Sequence, residues 1–252
     1  MGELFCPLVL LFYTSIYLRD APMKKEIKWS ILLPTLDEAE SLPSVIQKIY
    51  ALGLGKDAEV IIIDGGSTDG THDAFLSASR RYPRLQWLDA PKGKGLALKI
   101  GFAKAKGKHF AFMDADMQYM PADLKRAMNA IERGADIVVT KRKVHGGSAI
   151  RRMLSLSYSN VFGKCMLGLP VQDPQSGMKA IRGELLKGLK LSSKEWALDS
   201  EIILQAARKG AKIKEIEIDF YPRMRGRTKT SVFGTGSDLV AGAVSFVFKG
   251  ID

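Results

Sequence analysis

Between residues 29 and 142 the chain repeats one phrase: a short β-branched or apolar run, an acid or a glycine at its carboxyl end, then apolar positions at helical spacing. Such a pattern folds as a parallel sheet wrapped by helices, because each strand returns to the same edge through a crossover. Strands are expected over 30–33, 59–63, 85–88, 109–113 and 136–139, with helices starting near Glu38, Thr71, Gly95 and Pro121. Asp69-Gly70-Thr71 makes a turn into a helix, and Pro121 suits a first helical turn, whose N–H has no partner in any case.

After residue 142 the pattern loosens into a basic, glycine-containing loop over 143–148. An amphipathic helix is expected over 149–167, a second helix over 198–209, a strand over 213–220, and then a basic loop over 221–231. With no repeat and no low-complexity tract, residues 26–235 read as one α/β domain followed by an apolar tail over 236–252. Ahead of the domain, residues 1–25 begin with an apolar stretch flanked by Arg19, Lys24, Lys25 and Lys28. Two readings stay open for it: a membrane anchor or interfacial helix, or an extension upstream of a start at Met23. The apolar stretch is shorter than the ~20 residues of a spanning helix, and its basic flank would keep the following domain on the cytoplasmic face.

Lys and Arg total 38 against 27 acids, a net charge of +11. That balance favours an anionic partner, such as a phosphate-bearing ligand or a membrane surface. The basic residues are dispersed and have no aromatic ladder beside them, which argues against nucleic acid. The two cysteines, Cys6 and Cys165, form neither a disulfide framework nor a zinc knuckle.

Acids cluster where three expected strands end: Asp37 and Glu38, then Asp64, then Asp114 with Asp116. In open α/β sheets the ligand crevice lies at those ends. An isolated acid there is more often a helix cap, and Asp37 or Asp69 alone would be no more than that. Asp114-Ala-Asp116-Met-Gln118 is the sharpest element, since oxygen donors at alternate positions of an extended turn suit a hard cation, Mg²⁺ or Mn²⁺.

Pro34-Thr-Leu-Asp-Glu38, Asp64-Gly-Gly-Ser-Thr-Asp-Gly-Thr71, Lys92-Gly-Lys-Gly95, Asp114-Ala-Asp-Met-Gln118 and Asp173-Pro-Gln-Ser-Gly177 follow one another in an order and spacing that resembles glycosyltransferase family 2. Within it the chain looks most like the dolichol-phosphate mannosyltransferase and polyprenyl-phosphate glycosyltransferase branch. The resemblance implies a GT-A type fold, mostly a parallel sheet flanked by helices. Pro34, Leu36, Glu38, Asp64, Lys94 and Asp114 would then bind the nucleotide-sugar. Asp114, Asp116 and Gln118 would hold the metal, and Arg142, Arg223 and Lys229 the acceptor phosphate. Asp116, Asp173 and Arg223 would stand closest to the chemistry, and Glu201 matches an acid of the family's later helix. The implied reaction is inverting, metal-dependent transfer of a sugar, mannose first, from GDP-mannose or a related donor to a dolichyl or other polyprenyl phosphate.

Two departures bear on that reading. Asp64 is followed by Gly65 where the family commonly has a second aspartate, and Ser157-Tyr-Ser-Asn160 stands where mannosyltransferases of this branch often carry Arg-Gly-Ala-Asn. A glycosyltransferase with a UDP-sugar or another acceptor is one alternative. A non-catalytic, membrane-associated binder of nucleotide-sugars or phospholipids is another. The Gln-x-x-Arg-Trp motif of processive synthases, the glycine-rich loop of nucleotidyltransferases and the P-loop are all absent from the sequence.

Overall fold

In a computed structural model of the protein, residues 26–145 and 168–222 are described. The chain starts with β1 (Trp29–Thr35), α1 (Leu42–Ala51), a short 3-10 turn (Leu54–Lys56), β2 (Ala58–Asp64) and α2 (Thr71–Ser79). It continues with β3 (Leu85–Asp89), α3 (Lys94–Lys104), β4 (His109–Phe112), α4 (Pro121–Glu132) and β5 (Ile137–Val144). Then come β6 (Lys179–Arg182), α5 (Gly183–Lys187), α6 (Ala197–Arg208) and β7 (Ile213–Phe220).

The strands form one seven-stranded sheet in the order β3-β2-β1-β4-β6-β5-β7. Only β6 runs against the others, pairing antiparallel with β4 and β5. Alternation along β1 sends Ile31 and Leu33 to one face, where they meet Val45, Ile46 and Ile49 of α1 and Leu124, Met128 and Ile131 of α4. Leu32 faces the other way, with Ile61 and Ile63 of β2, Leu98 of α3 and Ile202, Ile203 and Ala206 of α6. Central strands covered on both faces read as unbroken apolar runs, as β2 does from Val60 to Ile63.

All six expected strands form, with three differences from the sequence-based expectation. β5 runs on to Val144, because its Lys141, Arg142 and Lys143 pair with Glu217, Ile218 and Asp219 of β7, and Lys141 and Glu217 approach to 3.4 Å. α1 starts at Leu42 and not near Glu38, since residues 37–39 are fastened to the loop after β2. β6 is the third: a four-residue strand with a cation at each end, which polarity reads as a loop. The expected helix over 149–167, the N-terminal segment 1–25 and the tail 236–252 lie outside the described residues.

Candidate active site

The carboxyl ends of β1, β2 and β4 and the start of the reversed β6 share one edge, and those predicted site residues that are described gather there. At its first corner Thr35 and Asp64 are register partners across β1 and β2. Asp64 is buried and organises its own turn, accepting from Gly66 N at 3.0 Å, Ser67 N at 2.8 Å and the Ser67 hydroxyl. That turn grips the loop after β1: Asp37 N donates to Ser67 Oγ at 2.7 Å, Glu38 N to Thr71 Oγ1 at 2.8 Å and Ala39 N to Asp69 Oδ2 at 3.1 Å. Asp37 holds a left-handed φ of 46° and accepts from Thr68 N at 2.7 Å. Asp69 turns the chain into α2 by accepting from Thr71 N, the aspartate turn read from the sequence. Pro34, Leu36 and Glu38 line this corner half-buried, and Glu38 Oε2 accepts from Ser41 Oγ at 2.7 Å.

Asp114 and Asp116 leave β4 on one turn. The Asp114 side chain is 26% exposed, whereas Asp116 is buried and accepts from Gln118 N at 3.1 Å. A Cβ at Gly177 would overlap Asp114 Oδ2, so this glycine is what admits the carboxylate. Lys94, the first residue of α3, brings its Nζ to 2.9 Å from Asp114 Oδ1 and 3.6 Å from Asp199 Oδ2, with 8% of the side chain exposed. Burial works against its charge, but Asp114 and Asp199 outweigh burial and hold the ammonium protonated well above the ordinary lysine range. Asp199 also binds the wholly buried Lys179 at the head of β6; burial pulls that lysine down, and Asp199 opposes the pull. Lysines 94 and 179 and aspartates 114 and 199 thus alternate in sign beneath the crevice.

At the far side Arg142 forks onto Asp173, Nε to Oδ2 at 2.6 Å and Nη2 to Oδ1 at 2.8 Å, while its backbone N–H reaches Oδ2 at 3.1 Å. The Phe220 ring lies 5.3 Å from the guanidinium carbon. The loop carrying Asp173 is pinned by Glu215 Oε1, which accepts from Gln172 N at 2.7 Å and Asp173 N at 3.1 Å. Tyr119 stands between the two halves. Its hydroxyl accepts from Gly177 N at 2.6 Å, and burial pushes its phenol up to about 12, with Arg142 opposing and Asp114 adding to the rise.

Gln118 and Glu201, both singled out in the sequence, have definite partners in this geometry. Gln118 Nε2 donates to the Tyr221 carbonyl at 3.0 Å, which couples the acidic turn to the exit of β7 and leaves only the amide oxygen for a cation. Glu201 accepts from Ser192 N, Ser192 Oγ and Ser193 N at 2.7–2.9 Å and so closes the loop before α6. Arg223 and Lys229, with the Ser157–Asn160 segment, lie outside the described residues. The sequence reading passed over Lys179, Asp199, Tyr119 and Glu215. The one signal it held was Gly177, inside the quoted Asp173-Pro-Gln-Ser-Gly177 string.

Among the described residues no third carboxylate, histidine or cysteine joins Asp114 and Asp116. Two hard carboxylates on one turn, Asp114 in the room Gly177 leaves and beside a buried ammonium, fit a magnesium-like ion that would complete its shell with phosphate and water oxygens. They do not make a closed four-ligand cage of the structural zinc kind.

Comparison with known proteins agrees with this architecture. The chain is 31% identical over 217 residues to the dolichol-phosphate mannosyltransferase of Pyrococcus furiosus, a match covering 81% of this chain and 59% of that one. It is 30% identical to the undecaprenyl-phosphate mannosyltransferase of Micrococcus luteus, covering 79% and 86%, and 27% identical to the polyprenol monophosphomannose synthase of Mycolicibacterium smegmatis, covering 80% of each. The chain therefore spans about three-fifths of the length of the Pyrococcus relative. Glucosyl-3-phosphoglycerate synthase from Mycobacterium tuberculosis, solved with Mn²⁺, UDP and phosphoglyceric acid, superposes with a TM-score of 0.72 at 22% identity, over 89% of this chain and 79% of that one. That likeness gives the fold, a GT-A type α/β sheet. Residues 30–189 match Glycosyl transferase family 2, and the chain belongs to that family.

Proposed function

We propose that the protein transfers a sugar, mannose in first place, from a nucleotide-sugar to a polyprenyl phosphate such as dolichyl phosphate, with inversion at the anomeric carbon. The observation that carries this reading is the gathering of two charged centres at one sheet edge: Asp114 and Asp116 after β4, and Arg142 of β5 forked onto Asp173. The Pyrococcus, Micrococcus and Mycolicibacterium relatives, named for polyprenyl-phosphate acceptors, support the acceptor class.

The loop of residues 34–38 and the turn of 64–71 form the nucleotide corner. Asp114 and Asp116, with the Gln118 amide oxygen, would hold Mg²⁺ or Mn²⁺, whose charge stabilises the diphosphate as the sugar leaves. Asp173 engages Arg142 through Nε and Nη2 and so fixes the guanidinium plane, and the remaining N–H groups would face the acceptor phosphate. The acceptor is a phosphate already ionised at neutral pH, so its attack needs no strong general base. Attack in line with the departing diphosphate inverts the anomeric centre. Arg223 and Lys229, in the basic stretch after β7, would complete the phosphate site. No helix among the described residues is long and apolar enough to cross a membrane, and a net charge of +11 favours peripheral attachment to an anionic cytoplasmic face.

A panel of GDP- and UDP-sugars against dolichyl and undecaprenyl phosphate, with Mg²⁺ or Mn²⁺, tests donor and acceptor together. The UDP arm is needed because the Mycobacterium tuberculosis synthase binds UDP. Transfer to at least one lipid phosphate is expected, and Asp116→Ala abolishes it. Transfer that survives both chelation and this substitution would overturn the mechanism, and nucleotide-sugar binding without transfer to either lipid would favour the non-catalytic binder.

A further inference from the structure

Lys94 occupies an awkward place for a cation. It opens α3, where the helix dipole disfavours positive charge, and Gly93 ahead of it offers no side-chain cap. Its Nζ is buried and makes no well-directed hydrogen bond, although it lies 2.9 Å from Asp114 Oδ1 and 3.6 Å from Asp199 Oδ2. The Trp196 ring, 5.0 Å from Nζ, closes another side. An ammonium therefore sits on the carboxylate assigned above to the metal, and a second carboxylate stands within reach of a small side-chain rotation. An enclosed ammonium that keeps its charge partner but makes no well-directed hydrogen bond is costly unless a ligand later supplies oxygen atoms to it.

We propose that Lys94 is a resident counter-cation of the metal site: it holds Asp114 in the unliganded enzyme and yields that oxygen, moving toward Asp199, when a divalent ion and a nucleoside diphosphate arrive together. Two cations on one half-buried carboxylate repel, and the diphosphate supplies the negative charge that lets both remain. Lys94 is thus a positioning residue that couples metal binding to nucleotide binding and suppresses loading of the bare ion. Lys179 assists by occupying the other oxygen of Asp199, which keeps that carboxylate in place to receive Lys94. The inference rests on the metal site proposed above.

The test is Mn²⁺ titration followed by electron paramagnetic resonance on the intact protein, alone and with GDP or UDP, for wild type, Lys94→Met and Lys94→Gln. Wild type should bind Mn²⁺ weakly alone and far more tightly with a nucleoside diphosphate. Removing the ammonium should tighten binding of Mn²⁺ alone by about 10-fold or more, given the strength of short-range charge pairs away from bulk water, and should shrink the nucleotide enhancement. The direction separates this from a structural role, since a damaged site would bind the ion less well. Should the methionine variant lose cooperative unfolding, the glutamine variant decides. Unchanged or weaker binding of Mn²⁺ alone, in a folded variant whose wild type binds the ion with nucleotide, overturns the inference and leaves the metal site standing. Absence of Mn²⁺ binding by wild type under both conditions overturns the two together.

Discussion

A single hydrogen atom at position 177 decides whether Asp114 has somewhere to go. Any larger side chain there overlaps Oδ2 of that carboxylate, so Gly177→Ala should displace the acidic turn while leaving the sheet intact. An angstrom-scale shift at a reacting centre commonly costs on the order of 100-fold in rate, and initial rates with and without saturating Mn²⁺ would measure it. Unchanged transfer would mean that Asp114 is free to move. The acids at 114 and 116 were legible in the sequence because a strand end fixes where such residues sit, whatever surrounds them. The burial of Lys94 and Lys179 was not, since lysine ordinarily stays solvated and it is Asp199, brought in by α6 to join Asp114, that makes their enclosure tolerable. Asp173 was singled out from its sequence string, whereas its fork with Arg142 was not, because the two residues meet only when the loop after β5 folds back on that strand.

Among the elements, α6 does the most to shape the crevice from outside it. Glu201 gathers three donors from residues 192 and 193, and the next residue, Lys194, accepts from Leu96 N of α3 at 2.9 Å. Gly95 permits that approach, as a Cβ would lie 2.6 Å from the Lys194 carbonyl carbon. Glu201→Ala should therefore cost roughly 3 kcal/mol by leaving these donors without their carboxylate, read from urea unfolding, and should speed amide exchange over residues 192–196. Protection equal to wild type in that stretch would show that the loop does not depend on Glu201. Helix α6 was foreseen almost to the residue from its apolar spacing, whereas β6 was invisible: four residues flanked by charge carry no period, and only the two neighbouring strands make them a strand.

For the molecule as a whole, buried titratable groups bound the pH range of stability on both sides. Burial holds Tyr119 protonated up to about 12, and the half-buried Tyr50 likewise, whereas in the unfolded chain both ionise near 10.0. The unfolded chain thus loses protons first, and stability should fall as pH rises from about 10 to about 12. His109 acts at the other limit. Burial, with Arg182 and Lys108 adding to it, lowers its proton affinity, so the unfolded chain takes up a proton first as pH drops through 6.5, and stability falls there too. Urea midpoints across pH, with tyrosinate absorbance recorded through the unfolding transition, would check both limits; a midpoint that stays level from pH 10 to 12 would contradict the tyrosine part.

The reversed direction of β6 also sets how this scaffold can change. Every crossover between parallel strands must travel the length of the sheet and pack a face on the way. The chain, by contrast, leaves β5 and enters β6 at the same edge, because the two strands are antiparallel neighbours. The last stretch of that connection, 168–178, packs Leu169 and Val171 into the core and carries Asp173 and Gly177 to the crevice rim. Any change to this connection that a descendant of the fold accepts must therefore spare those four positions, or core and crevice shift together.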